Sequence, residues 1–405
     1  MAPPASLSGS PGGASCGSRE PWGRLWMTAL LLPLGLTLVT GTASAAGPND
    51  QMDEIDEQAT AVAEAARAGT GKKGDKDVLA VPLPITSPVL GVGLVVAGVV
   101  FYNPNGAPSP WISGAAAMKT NNDNWLLGGF HSMSLADDRF RFTAAVGAGK
   151  LVTDYYGTGD AAGDRDVAAQ LDEKTVALRL QPQMRVLPGL YAGVRALAMH
   201  VKVNPRDADP AFPDLAIPQD QRNSTLVQLG PAVTYDRRDD SLNPRQGAFL
   251  HAEWLWGIKA LGSDYKGGKF TAGASVYVPS GTRTVWAFHA GLCDAAGDLP
   301  YFDLCLYGQK NDLRGYKAGR YRDGMSWALQ AEWRRHLFGR VGMVAFGGIG
   351  GIAPSLAQLG RTDFLPAGGV GLRFQPSRAT NINLRLDLAV GKDSQAVYLG
   401  IAEAF

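Results

Sequence analysis

The sequence predicts an all-β fold, a transmembrane antiparallel β-barrel of sixteen strands with a short N-terminal helix. Three observations predict it. Apolar residues alternate with polar, charged or glycine residues along most of the chain, which is the period of a strand with one oily face. The alternating runs are long, many of them 10–14 residues; soluble strands average about 5–6, and a tilted strand crosses a bilayer in about 9–11. Aromatic residues gather at the ends of the runs, at Phe101-Tyr102, Trp111, Trp125, Tyr155-Tyr156, Phe364 and Phe405, as in an interfacial girdle.

Composition narrows the function classes. The 405 residues carry 38 basic and 37 acidic side chains, so there is no electrostatic footprint for nucleic acid. The 45% of apolar residues excludes a disordered chain. They are not gathered in the long blocks of a helical membrane protein. Three cysteines are too few for a disulfide scaffold. Glycine, at 51 of 405 residues, is nearly twice its usual share.

Residues 1–46 read as an export signal. Arg19 and Arg24 precede the apolar run Leu25 to Val39, and Thr42-Ala43-Ser44-Ala45-Ala46 offers a small-residue cleavage site. The run is short for a membrane span, and Pro33 interrupts it. Residues 47–77 follow as a helix and polar linker. Asp50 to Arg67 has a thin stripe of Met52, Ile55, Ala59, Val62, Ala63 and Ala66, with acids in its first turns. This segment is either a solvated tail or a helix lying inside or beneath the barrel.

Residues 78–405 are the barrel. Val78 to Met118 carries no charge, but Pro82, Pro84 and Pro88 break it, and Val89 to Tyr102 is Val- and Gly-rich. That composition favours a strand over a membrane helix. Fifteen strands stand out, near 89–102, 110–119, 123–135, 138–156, 175–187, 188–204, 223–237, 247–258, 264–279, 283–294, 323–338, 340–351, 364–375, 380–391 and 394–405. Bacterial barrels have even strand numbers, and Val78 to Thr86 supplies the sixteenth. The long connections 157–174, 205–222 and 295–322 are expected on the extracellular side, because periplasmic turns are short.

Three segments carry a family resemblance. The first is Gly230-Pro231-Ala232-Val233-Thr234-Tyr235-Asp236-Arg237-Arg238-Asp239 with Asn243-Pro244-Arg245-Gln246-Gly247. It resembles the YDxRD…NPxxG hairpin of the bacterial surface antigen family, the barrel of the outer-membrane insertase and two-partner-secretion transporter superfamily. The second, Leu313-Arg314-Gly315-Tyr316, resembles that superfamily's RGY loop. The third is Gly369 to Phe374, then Leu384 to Ala389, then Phe405.

The resemblance implies a loop folded into the lumen, with Arg314, Gly315 and Tyr316 at its tip and acidic partners for Arg314 on later strands. Glu332 is inward in register and stands where the family places one acid. The other family acid belongs to a FxDxG strand, here Phe346-Gly347-Gly348-Ile349-Gly350, so Gly348 takes its place. Asp387, inward on its own strand, is the replacement expected. Tyr398, Gly400 and Phe405 resemble the assembly signal of outer-membrane barrels, with Glu403 a departure from it. Protein insertion or translocation is the implied function, with sideways opening between the first and last strands. The implied partners are outer-membrane lipids, client outer-membrane proteins and a separate periplasmic partner, in a Gram-negative-type outer membrane. Residues 47–77 are too few for the family's POTRA repeats. The competing reading is a passive channel or structural barrel.

Other chemistry is sparse. Cys293 and Cys305 remain after export; they either form a disulfide at the base of the loop, plausible in an oxidising compartment, or stay as free thiols. No cofactor or metal is expected: the five histidines sit on different strands without ligand spacing. His131-Ser132 is the one seed for a barrel hydrolase. Asp236, Asp239 and Asp240 read as a charged turn, since Arg237 and Arg238 oppose a cation. The chain is expected not to be an enzyme.

Overall fold

The computed structural model describes residues 77–87, 91–102, 104, 111–207, 212–308, 313–317, 319–376 and 383–405. The export signal and the helix expected over 50–67 lie outside them. Among the described residues no helix is long and apolar enough to cross a membrane.

Sixteen strands follow one another in a single antiparallel sheet. They are β1 (Asp77–Ser87), β2 (Gly91–Tyr102), β3 (Trp111–Thr120), β4 (Trp125–Leu135), β5 (Phe140–Tyr155), β6 (Ala169–Leu187), β7 (Leu190–Asp207), β8 (Asn223–Asp236), β9 (Gly247–Gly257), β10 (Gly268–Ser280), β11 (Thr284–Ala296), β14 (Met325–Phe338), β15 (Val341–Ala353), β16 (Ala367–Phe374), β17 (Leu384–Gly391) and β18 (Ser394–Ile401). The short strands β12 (Cys305–Tyr307) and β13 (Tyr321–Asp323) pair with each other inside the connection from β11 to β14. β1 and β18 come into contact.

The alternation read from the sequence is the alternation of the wall. Val276, Val278, Trp286, Phe288, Leu329, Val370, Leu372, Leu388, Val397 and Leu399 are exposed on the outer face. Their inward neighbours Ser275, Tyr277, His289, Gln330, Arg373, Asp387 and Ala396 are buried. In water such an outer face would be a liability; in lipid it is the matching solvent.

Three differences from the expected elements matter. The connection 157–174 is shorter than it reads, because β6 begins at Ala169 and a short helix α1 (Asp160–Arg165) fills the remainder. The connection after β11 carries its own two-stranded ribbon, whose three-residue strands are too brief to show a period. The last strand, expected over 394–405, stops at Ile401. Ala402 turns the backbone at φ 69°, and Ala402, Glu403 and Ala404 are buried.

The YDRRD…NPRQG segment is a turn-building device. Asp236 accepts from the main-chain N–H and the guanidinium of Arg238. Asp239 accepts from the N–H groups of Arg245 and Gln246, and Asp240 from those of Leu242 and Asn243. Gly247 ends the turn at φ 108°, where a Cβ would lie 2.1 Å from the Arg237 carbonyl oxygen, so only glycine fits.

Candidate functional site: the loop seated in the lumen

The connection from β11 to β14 crosses the lumen from one wall to the other. Its start is fastened to β6 and β8. Tyr301 donates to the Glu173 carboxylate, and Gln228 donates to Asp303 at 2.7 Å. Cys293 on β11 and Cys305 on β12 are joined by a disulfide. Closing a loop of this length restricts the unfolded chain by about 3 kcal/mol.

The tip rests on β14–β18. Register places four rows of inward residues there. The uppermost runs Gln330, Gly348, Ala367, Gly391; the next Glu332, Phe346, Gly369, Ala389. Below come Arg334, Val344, Gly371, Asp387, Tyr398, and then Arg373, Arg385, Gly400. The small residues clear a berth for the loop. A Cβ at Gly391 would meet the Tyr316 ring at 2.7 Å. A Cβ at Gly371 would lie 2.0 Å from the Asp387 carboxylate.

Arg314 fills that berth and is fully buried. Its guanidinium donates to both Glu332 and Asp387, which are themselves 0% exposed. It also donates to Gln330 at 3.2 Å and lies 3.6 Å from the centre of the Phe346 ring. A planar, permanently charged fork suits two carboxylates at once, and the ring face adds a cation–π contact. Gly315, at φ 133°, donates its N–H to the Tyr398 hydroxyl at 3.1 Å. Tyr316 donates to the Pro366 carbonyl at 2.6 Å and accepts from the Lys392 N–H at 3.1 Å.

Gly348 has a physical reason. A Cβ there would lie 2.3 Å from the Leu329 carbonyl oxygen and 2.7 Å from Leu313. The β14 backbone and the loop's Leu313 together crowd this position, and Asp387 meets Arg314 from another strand.

The carboxylates are shared. Glu332 uses one oxygen for Arg314 and the other for Arg334 at 2.6 Å. Asp387 does the same with Arg314 and Arg373, the latter at 2.5 Å. Sequence reasoning missed Arg334 and Arg373 as members of this cluster. Their inward register was the available signal, but register does not say which inward charges converge.

The loop's return is capped by α1. Arg320 donates to the Gly163 carbonyl at 2.9 Å, Tyr321 to Asp164 at 2.8 Å, and Lys392 to Asp164 at 2.8 Å. Lys392 holds the Asp164 carboxyl below its ordinary range. Burial beside Asp363 and Asp323 pushes Asp160 up to about 6.

The remaining candidate residues lie elsewhere. Gly400 is opposite Arg385, whose guanidinium comes within 2.9 Å of where a Cβ would be. Phe405 is in the lumen, its ring against Tyr277, Val285 and Ala287. His131 pairs with Ser113 across to β3 at 2.9 Å rather than with its neighbour Ser132. Among the described residues no cluster of His, Cys, Asp and Glu could hold a metal ion.

The glycine-lined berth thus holds the buried arginine of the Arg314-Gly315-Tyr316 tripeptide. Residues 113–351, more than half the chain, match the Omp85 superfamily domain. The chain belongs to the Omp85 superfamily. This Omp85 barrel is similar to BamA from Haemophilus ducreyi lacking POTRA domains 1–3, with a TM-score of 0.55 and 12% identity over 85% of this chain and 77% of that one. It is similar to CdiB from Escherichia coli, with a TM-score of 0.55 and 13% identity over 82% of this chain and 63% of that one. CdiB from Acinetobacter baumannii gives a TM-score of 0.51 and 10% identity over 80% and 65%. The chain thus spans under two thirds of either CdiB, and at these identities the likeness is one of fold. No curated protein sequence matches the chain.

Proposed function

We propose that this Omp85 barrel inserts or translocates other polypeptides in the outer membrane of a Gram-negative-type cell envelope. Residues 78–405 form the membrane barrel, after a signal peptide at 1–46 and a helix and linker at 47–77. β1 and β18 part to open the wall sideways, and Arg314 locks the loop while they do. The long connections face outward. Client outer-membrane proteins, outer-membrane lipid and a separate periplasmic partner are its company; no cofactor takes part and no catalysis is involved.

The observation that carries this reading is the seating of Arg314 between Glu332 and Asp387 in a superfamily barrel. A buried guanidinium held between two buried carboxylates is expensive to build. A barrel that served only as a passive hole would gain nothing from filling its own lumen.

The test is reconstitution of the full chain in lipid vesicles with an unfolded outer-membrane client. Faster acquisition of protease resistance by the client than in empty vesicles is expected. No acceleration, together with a large steady ionic conductance, would assign a passive channel instead.

A further inference from the structure

Residues 402–405 do not continue the wall. After Ile401 the chain turns at Ala402, in the left-handed region that a non-glycine residue adopts only under strain, and enters the lumen from the end opposite the Arg314 loop. Strain at a hinge persists only where contacts beyond it hold it, and they are present. The Ala402 N–H donates to the Asn383 carbonyl at 2.8 Å and the Glu403 N–H to the Leu242 carbonyl at 3.0 Å. The Glu403 carboxylate accepts from Arg373 at 2.7 Å and from Asn383 at 2.7 Å. Arg334 donates to the Phe405 main-chain oxygen at 2.9 Å. The Phe405 ring is 5.2 Å from that of His289.

The two arginines that hold this segment are the two that share the carboxylates of Arg314. The order across the lumen is Arg314, then Glu332 and Asp387, then Arg334 and Arg373, then Glu403 and Phe405. Loop and tail sit at opposite ends of one alternating chain of charge. We infer that residues 402–405 are an intramolecular latch, coupled to the Arg314 loop through Arg334 and Arg373, so that releasing either end loosens the other.

The sign follows from counting charges. Arg314, Arg334, Arg373 and Arg385 face Glu332, Asp387 and Glu403 in this cluster, and all seven are buried. Withdrawal of Glu403 leaves two carboxylates for four guanidiniums. Arg334 and Arg373 then compete with Arg314 for Glu332 and Asp387, and the loop is held less firmly. Withdrawal of Arg314 removes a cation and lessens the need for Glu403. Each segment therefore favours the other's inserted position, whatever passes through the barrel.

The test uses the full chain in lipid vesicles and reads hydrogen exchange at the Gly315 amide for the loop and at the Ala402 and Glu403 amides for the tail. Glu403→Gln and Phe405→Ala each free the tail and are expected to speed exchange at Gly315 by about five- to a hundredfold. Arg314→Gln is expected to speed exchange at Ala402 and Glu403 by a similar factor, because coupling between two positions is reciprocal. Glu253→Gln, which breaks the 2.7 Å pair with Arg195 on another part of the wall, is expected to move neither. If Glu403→Gln fails to fold, Phe405→Ala, which removes the ring contact with His289, carries the same reading once faster exchange at Ala402 and Glu403 shows that the tail is released. Freeing the tail without any change at Gly315, or Arg314→Gln without any change at 402–403, would overturn the latch.

Discussion

The lumen is filled in two ways. Along β5–β8 it is mainly oily: Leu171, Met199, Val201 and Leu226 receive Ile217, Tyr265, Tyr301 and Phe302 from the connections, with the Tyr301–Glu173 and Gln228–Asp303 hydrogen bonds set among them. Along β14–β18 it is ionic, built on Arg314, Glu332, Asp387, Arg334 and Arg373. The connection from β11 to β14 has its start in the first region and its tip in the second. Apolar packing is non-directional and tolerates settling. A buried ionic network is satisfied in one arrangement and costly in any other. The oily side therefore anchors the loop, and the ionic side specifies where its tip rests.

Breaking the ionic side should cost most. Arg314→Ala leaves one oxygen each of Glu332 and Asp387 buried without its guanidinium donor and should lower stability by about 3–5 kcal/mol, read by urea unfolding from vesicles. On the oily side, Leu226→Ala, at a fully buried position, should cost about 2–3 kcal/mol, since the overlying residues can partly settle into the cavity. The two substitutions should also differ in place: hydrogen exchange should rise at the loop tip in the first variant and at Tyr301 and Phe302 in the second. If Arg314→Ala costs less than Leu226→Ala, the division of labour is wrong.

The cap offers a smaller, pH-dependent effect. The Asp160 carboxyl titrates near 6 against an ordinary 3.8, so the folded protein binds its proton more tightly than the unfolded chain. Its stabilising contribution is full below the ordinary value and is lost as pH rises through the raised one. Melting temperature should therefore fall slightly from pH 5 to pH 7, and Asp160→Asn should flatten that slope. An unchanged slope in the variant would place the titration elsewhere.

Much of the wall was legible because the sheet period is two and lipid favours one oily face; β14 and β17 read correctly from Leu329-Gln330-Ala331-Glu332 and Leu384-Arg385-Leu386-Asp387. The family was legible from three short motifs in order. The inward turn at Ala402 was not. Tyr398 to Phe405 keeps a strand-like alternation, and the contacts that divert it come from Asn383, Leu242, Arg373 and Arg334, all distant in sequence. Glu403, a departure from the assembly signal, is a lumenal ion-pair partner. The crowding at Gly348 was equally hidden, because a glycine records the absence of a side chain and not the neighbour that requires it.

The most direct measurement of the loop's seat is a double-substitution cycle between Arg314 and Asp387 on unfolding from vesicles. Arg314→Gln and Asp387→Asn should each destabilise strongly, and the double variant should be no less stable than the worse single one, because the pair has been removed together. Losses that simply add would mean the two side chains do not meet in the lumen, and would contradict the account.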